Sequence, residues 1–242
     1  MKPPSYTVRP VAAMLRWLYM SSHLNRHYHY VVPTATYAPW LDDKDFCSIY
    51  SRIRSYTMVD MYRCYELWQL AKECSKLPPG AILEVGVWRG GTGCLIASAV
   101  PDTRVYLCDT FAGVPKAKVS TADSMYSGGE HADTSEEVVR GLVTSLRLAN
   151  LRLLKGVFPD ETGRLCSDPL RFVHVDVDVY QSGKDVLDWV WPRLLPGGVI
   201  VFDDYGFETC SGITKLVEEQ RLSADSTVIH NLNGHGILIK RQ

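Results

Sequence analysis

The sequence predicts an α/β fold, with a mostly parallel sheet covered by helices on both faces and a C-terminal antiparallel β-hairpin. Two observations carry this expectation. From residue 81 onward, short apolar runs alternate with segments of helical periodicity, separated by Gly, Pro and polar residues. Further on, Asn233-Gly234 lies between residues 227–230 and 236–240, two runs of strand character, which is a hairpin signal.

The elements follow in order. Residues 1–57 carry several prolines and many tyrosines without β/α alternation, and are expected to form a helical extension that covers a site or joins subunits. Residues 58–242 then form the main domain. Within the extension, Val11-Ala12-Ala13-Met14-Leu15 is apolar, but Arg16 follows, and His23, Arg26, His27 and His29 come soon after. That run is too short to span a bilayer and has no signal-cleavage pattern. An amphipathic helix packing on the body or on a neighbouring subunit is expected. The aromatics Trp17, Tyr28, Tyr30, Tyr37 and Trp40 suit a sugar face or a subunit interface.

A longer helix is predicted over 59–77, where Met61, Tyr65, Trp68 and Ala71 share a face and Pro78-Pro79-Gly80 stops it. A strand over 81–86, a helix over 92–99 and a strand over 104–109 come next. Residues 112–133 form a polar loop with flexible joints at Ser127-Gly128-Gly129, expected to be mobile without a ligand. Thr134-Ser135-Glu136-Glu137 opens a helix with acidic first-turn residues. Strands over 151–155 and 172–176 precede a helix over 183–194. Pro196-Gly197-Gly198 turns the chain into a strand over 199–203, and a helix covers 209–222.

Composition narrows the partners. A chain of 242 residues suits one α/β domain with a modest addition better than two domains. A formal charge of −1 gives no electrostatic reason to expect nucleic acid or anionic membrane. The seven cysteines form no C-x-x-C pair, which disfavours a disulfide framework or structural zinc and points to a reducing, cytoplasmic setting.

Two motifs carry chemistry. Leu83-Glu84-Val85-Gly86-Val87-Trp88-Arg89-Gly90-Gly91-Thr92 follows a strand and opens a helix, where glycines allow close approach to a ligand. The spacing is not the G-x-G-x-x-G of a pyrophosphate site, which disfavours a nicotinamide dehydrogenase. An acid just before the glycines suits a cationic ligand, and S-adenosylmethionine (SAM) carries both a sulfonium and an ammonium group. Asp109 ends the next strand, where a ribose diol is held in this architecture.

The second motif is a set of carboxylates at two strand ends: Asp176 in His174-Val175-Asp176-Val177-Asp178, and Asp203-Asp204. Alternation puts 174, 176 and 178 on one face. If the two strands pair in parallel, Asp176 lies near Asp203 and Asp204. Such crowding calls for a cation, and hard oxygen ligands select Mg²⁺ or Ca²⁺ over zinc. Asp178 is expected to cap the following helix or to orient its neighbours.

Taken together, these residues resemble the macrocin and mycinamicin sugar O-methyltransferases, the family that also contains the novobiocin sugar O-methyltransferase. The resemblance runs from Thr57-Met58 onward through Glu84-Val85-Gly86-Val87-Trp88-Arg89-Gly90-Gly91, Asp109-Thr110-Phe111, Ser135-Glu136-Glu137-Val138, Gly156-Val157-Phe158, Asp176 to Tyr180, Pro192 to Gly198 and Asp203-Asp204-Tyr205. It implies a class I SAM-dependent methyltransferase fold, Mg²⁺, and methylation of a sugar hydroxyl on a glycosylated small molecule. It implies Asp176, Asp203 and Asp204 as metal ligands, and Glu84, Gly86, Val87, Gly90, Asp109, Thr110 and Asp176 around SAM, with Val157 and Phe158 near the adenine.

Direct methyl transfer needs a proton acceptor beside the acceptor hydroxyl. Asp176 is one candidate. His131 in the 112–133 loop is the other, because histidine is the side chain that ordinarily exchanges protons near neutrality. A catechol-type methyltransferase would use the same metal geometry. A SAM-binding protein without turnover would not need the carboxylate set. A homodimer or higher homo-oligomer is expected.

Overall fold

The computed structural model describes residues 35–117 and 120–242, together with residues 11, 13–15, 17, 18, 28 and 31. The chain divides into two compact units, Met1–Tyr37 and Ala38–Gln242. In the first, residues 11, 13–15, 17 and 18 are helical. The His27/His29 pair and Tyr30 lie outside the described residues. Among the described residues no helix is long and apolar enough to cross a membrane.

The second unit begins at Ala38, so residues 38–57 are counted with it. The reason is helix α1 (Lys44–Ile53), capped by Asp43, whose carboxylate accepts from Phe46 N at 2.9 Å and from Trp68 Nε1 at 3.1 Å. Phe46 and Ile53 are fully buried in one cluster with Cys64, Trp68 and Leu95. Two large apolar side chains removed from water contribute about 1.5–3 kcal/mol each, so the segment folds with the main unit.

Helix α2 (Met61–Cys74) is capped by Asp60, which accepts from Tyr62 N and Arg63 N. After it come β1 (Ala81–Val85), α3 (Gly91–Ala99), β2 (Val105–Asp109), α4 (Glu136–Leu146), β3 (Leu151–Lys155), β4 (Leu170–Val175), α5 (Tyr180–Val190), β5 (Leu194–Phe202), α6 (Ser211–Glu219), β6 (Ser226–His230) and β7 (Gly236–Lys240). The sheet order is β3-β2-β1-β4-β5-β7-β6, with β7 antiparallel to both neighbours. The mostly parallel sheet and its closing hairpin are those expected from the alternation and from Asn233-Gly234.

The core has two layers. Leu83, Val85, Val173, Val175 and Ile200 face Val186, Ile213 and Leu216 of α5 and α6. Ile82, Leu107, Phe172 and Val201 face Leu67, Ala71 and Ile96 of α2 and α3. Alternation along β4 sends Phe172 and His174 to the α2/α3 side. The registers Val85↔Cys108, Val85↔Val175 and Val175↔Phe202 bring the carboxyl ends of β2, β1, β4 and β5 to one rim.

Among the boundaries that differ from expectation, three have a physical reason in the structure. Helix α5 starts at Tyr180 rather than 183 because Asp123 of the 112–133 loop caps it, accepting from Tyr180 N at 3.0 and 3.1 Å. It gives way to a 3₁₀ turn at Trp191–Arg193, where Pro192 has no N–H to continue the ladder. Strand β5 begins at Leu194 rather than 199, because an irregularity against Leu170–Phe172 absorbs the Pro-Gly-Gly turn.

Candidate active site

The glycine loop is built for close backbone approach. Gly86 has φ +83°, and a Cβ there would lie 1.7 Å from the Asp176 carbonyl oxygen. Gly90, with φ +84°, stands at the N-cap of α3. The two strand ends are thus pressed together at a position that only glycine fills.

Asp109 organises this loop. One carboxylate oxygen accepts from Val87 N at 2.8 Å and Trp88 N at 2.9 Å, and the other from Phe111 N at 2.7 Å. A carboxylate offers about four lone-pair sites, so about one is left for a ligand hydroxyl, not the two that a whole ribose diol would use. The Thr110 hydroxyl accepts from Ala112 N and donates to Gly113 O, shaping the next turn.

A cavity over these strand ends is lined by Gly86, Asp109, Thr110, Phe158, Asp176 and His131. All six were expected at the site. Glu84, Val87, Gly90, Val157, Asp203 and Asp204 do not line it. Val87 and Val157 turn their N–H groups to Asp109 and Glu161. Glu84 is completely buried behind the loop, with Oε1 2.8 Å from His174 Nδ1.

Asp176, Asp203 and Asp204 each offer an oxygen, all within 4.8 Å of one another. Burial and then the charges of Asp203 and Asp204 push the Asp176 carboxyl well above its usual range. Burial, Asp178 and Asp203 do the same to Asp204. Asp203 differs. Burial favours its neutral form, but His174, His235 and the Arg63 charge outweigh that and hold it well below the ordinary range.

The Asp203 oxygens are each engaged: Arg63 Nη1 donates to Oδ2 at 2.6 Å, and His235 Nε2 lies 2.9 Å from Oδ1. Among the described residues, Asp176 makes no side-chain hydrogen bond. Among the described residues neither Asp176 nor Asp204 makes an ion pair, although Asp204 accepts from Asp178 N at 3.0 Å; with Asp203 they crowd three hard oxygen donors into a set that fits a divalent cation such as Mg²⁺.

Asp178 departs from the alternation expected of it. The chain leaves the strand after Val175, Val179 N bonds back to Val177 O at 2.7 Å, and Asp178 takes φ +65°. It lines the cavity and accepts from the Tyr126 hydroxyl at 2.7 Å, while Asp123, not Asp178, caps α5. Burial raises its pKa, partly offset by Tyr126 and by the nearby His131.

The 112–133 loop is tied down at several points. Tyr126 reaches Asp178 and Cys210, Asp123 caps α5, and Lys116 bridges Asp160 and Asp185. The Ser127 and Gly128 N–H groups are held by the Glu130 carboxylate. Apart from the local turn at Glu130, neither these anchors nor the roles of Arg63 and His235 carried any signal in the sequence; each depends on a partner supplied by a distant element.

Comparisons with known proteins bear on the family and the fold. The family described as Macrocin-O-methyltransferase (TylF) matches residues 15–235. A mycinamicin III 3''-O-methyltransferase of Micromonospora griseorubida is 32% identical over 171 residues, 64% of this chain and 67% of that protein. An 8-demethyl-8-(2,3-dimethoxy-alpha-L-rhamnosyl)-tetracenomycin-C 4'-O-methyltransferase of Streptomyces olivaceus is 33% identical over 54% of this chain. The match spans about half of that relative, 55% of its length. Among solved structures, the O-methyltransferase NovP superposes with a TM-score of 0.67 at 26% identity, over 77% of this chain and 82% of that one. The shared architecture is the class I methyltransferase fold.

Proposed function

Because the chain belongs to the macrocin O-methyltransferase family, we propose that it moves the methyl group of SAM to a sugar hydroxyl on a natural product, using Mg²⁺. The observation that carries this reading is the double membership of Asp176. It lines the cavity with Gly86 and Asp109, and it belongs to the three-carboxylate cluster. Donor and cation sites therefore meet at one side chain.

The residues divide the work. Gly86 lets the donor lie against the backbone, Asp109 and Thr110 hold the ribose end, and Phe158 flanks the adenine, with Val157 fixing the turn before it through its N–H to Glu161. Glu84, Val87 and Gly90 keep the loop in shape from behind. Asp176, Asp203 and Asp204 would hold Mg²⁺, which when bound lowers the pKa of a coordinated hydroxyl. Asp176 takes the acceptor proton, with His131, also in the cavity lining, as the alternative base. The 112–133 loop excludes water over the acceptor. We assign the N-terminal segment to subunit contact or to covering the acceptor.

Transfer of labelled methyl groups from SAM tests the reading. Chelation with EDTA is expected to abolish transfer and Mg²⁺ to restore it, with glycosylated acceptors preferred over catechols. Full activity after exhaustive chelation removes the metal from the proposal. A preference for catechols removes the sugar.

A further inference from the structure

A buried polar chain runs beneath the rim, from the back of the glycine loop to the β6–β7 turn. Glu84 meets His174 Nδ1 at 2.8 Å, and His174 Nε2 faces Asp203 Oδ1 at 3.7 Å, an ion-pair separation too long for a hydrogen bond. From the other side, His235 Nε2 reaches the same oxygen at 2.9 Å, and its Nδ1 is held by Glu66 of α2. Both histidines are completely buried, and Asp203 is nearly so. Glu66 is itself fixed by Asn231 and Asn233 of the β6–β7 connection.

We propose that His235, oriented by Glu66, is a positioning residue that presents Asp203 to the cation site. The geometry has the carboxylate–histidine arrangement that elsewhere orients a metal's surroundings, shifted one residue back from the ion. A free Asp carboxylate rotates about χ2. Here Arg63 fixes one oxygen and His235 the other, which sets the carboxylate plane and leaves the remaining lone pairs toward Asp176 and Asp204. His235 sits directly before β7 and Arg63 lies in the first turn of α2, so a strand and a helix distant in sequence define one ligand.

The inference rests on the Mg²⁺ reading given above, and its test is chosen to separate the two. Manganese binding to the chain loaded with S-adenosylhomocysteine is followed by electron paramagnetic resonance of free Mn²⁺. His235→Gln keeps a donor near the Nε2 position and is expected to hold Mn²⁺ within about threefold of wild type. His235→Asn keeps a donor near Nδ1, loses Asp203, and is expected to bind about 10–100-fold more weakly, the usual cost of losing such support. Calorimetric affinity for S-adenosylhomocysteine stays level in both. Should His235→Asn fail to fold, Glu66→Gln serves, with an intermediate loss of Mn²⁺ affinity expected.

Equal Mn²⁺ affinity in the Gln and Asn variants overturns the positioning role while leaving the metal reading intact. A wild-type chain that binds no Mn²⁺ overturns both. Mn²⁺ binding that depends on His235 as described, together with methyl transfer that survives chelation, supports the positioning role and overturns only the catalytic use of the metal.

Discussion

Asp109 shows what one side chain can be asked to do. Its three charge-assisted bonds to Val87, Trp88 and Phe111 N–H groups hold the donor loop as well as facing the cavity. Asp109→Ala removes them all together with any ribose contact. A hydrogen bond to a charged group contributes about 1.5–3 kcal/mol, so SAM affinity is expected to fall at least about tenfold by calorimetry. Unchanged affinity would remove Asp109 from the donor site. The identity of this residue was legible because an acid ending the second strand has a chemical reason to be there. Its saturation by backbone donors was not, since hydrogen-bond partners follow from loop shape. The alternation expected to carry Asp178 fails for a related reason: it describes a strand, and a residue at φ +65° is no longer in one. Arg63 and Asp203 stand 140 residues apart, and no local pattern announces their pairing.

The elements that periodicity describes well are those whose stability is local or whose faces are uniformly buried. Strand β3 has the predicted bounds, and Ser135 caps α4 ahead of Glu136 and Glu137 as its motif implies. Boundaries set by tertiary partners moved instead, as where Asp123 draws α5 three residues forward. The β1–α3 junction lies between these cases. Its glycines are readable, but the reason for Gly86 is the Asp176 carbonyl of β4's extension. Gly86→Ala combines a left-handed backbone cost of about 1–2 kcal/mol with overpacking of about 1–3 kcal/mol. Thermal unfolding should shift down by many degrees and SAM binding should be lost. A transition temperature within about 2 °C of wild type contradicts the close approach, since even 1 kcal/mol moves a chain this size about that far.

At the scale of the whole molecule, the buried polar chain makes stability depend on pH. Burial opposes a charged His174, but Asp203 and Glu84 outweigh it and raise its pKa from 6.5 to about 10. A histidine raised on folding stabilises fully below its unfolded value and loses that contribution as pH rises through its folded one. In EDTA, the gap in urea midpoint between wild type and His174→Gln is therefore expected to be widest below about pH 6.5 and to close toward pH 10. A gap that is constant across that range would mean that His174 is neutral in the folded chain. Residues 38–57 look like an appendage by composition, yet their buried aromatics complete the layer that holds α2, and α2 carries Arg63 and Glu66.

The placing of β7 has a consequence for how the chain is assembled. It follows β6 in sequence but lies between β5 and β6 in space, so β6 has no place in the sheet until β7 arrives. The two are expected to form as a hairpin, within microseconds, and then dock as a unit. Until then β5 presents an open edge of unpaired N–H and C=O groups, the kind of template on which chains associate wrongly. Docking also delivers His235 to Asp203. A molecule stalled before this event is thus sticky and incompetent at once. The last gap in its sheet and the last gap in its buried polar chain close together.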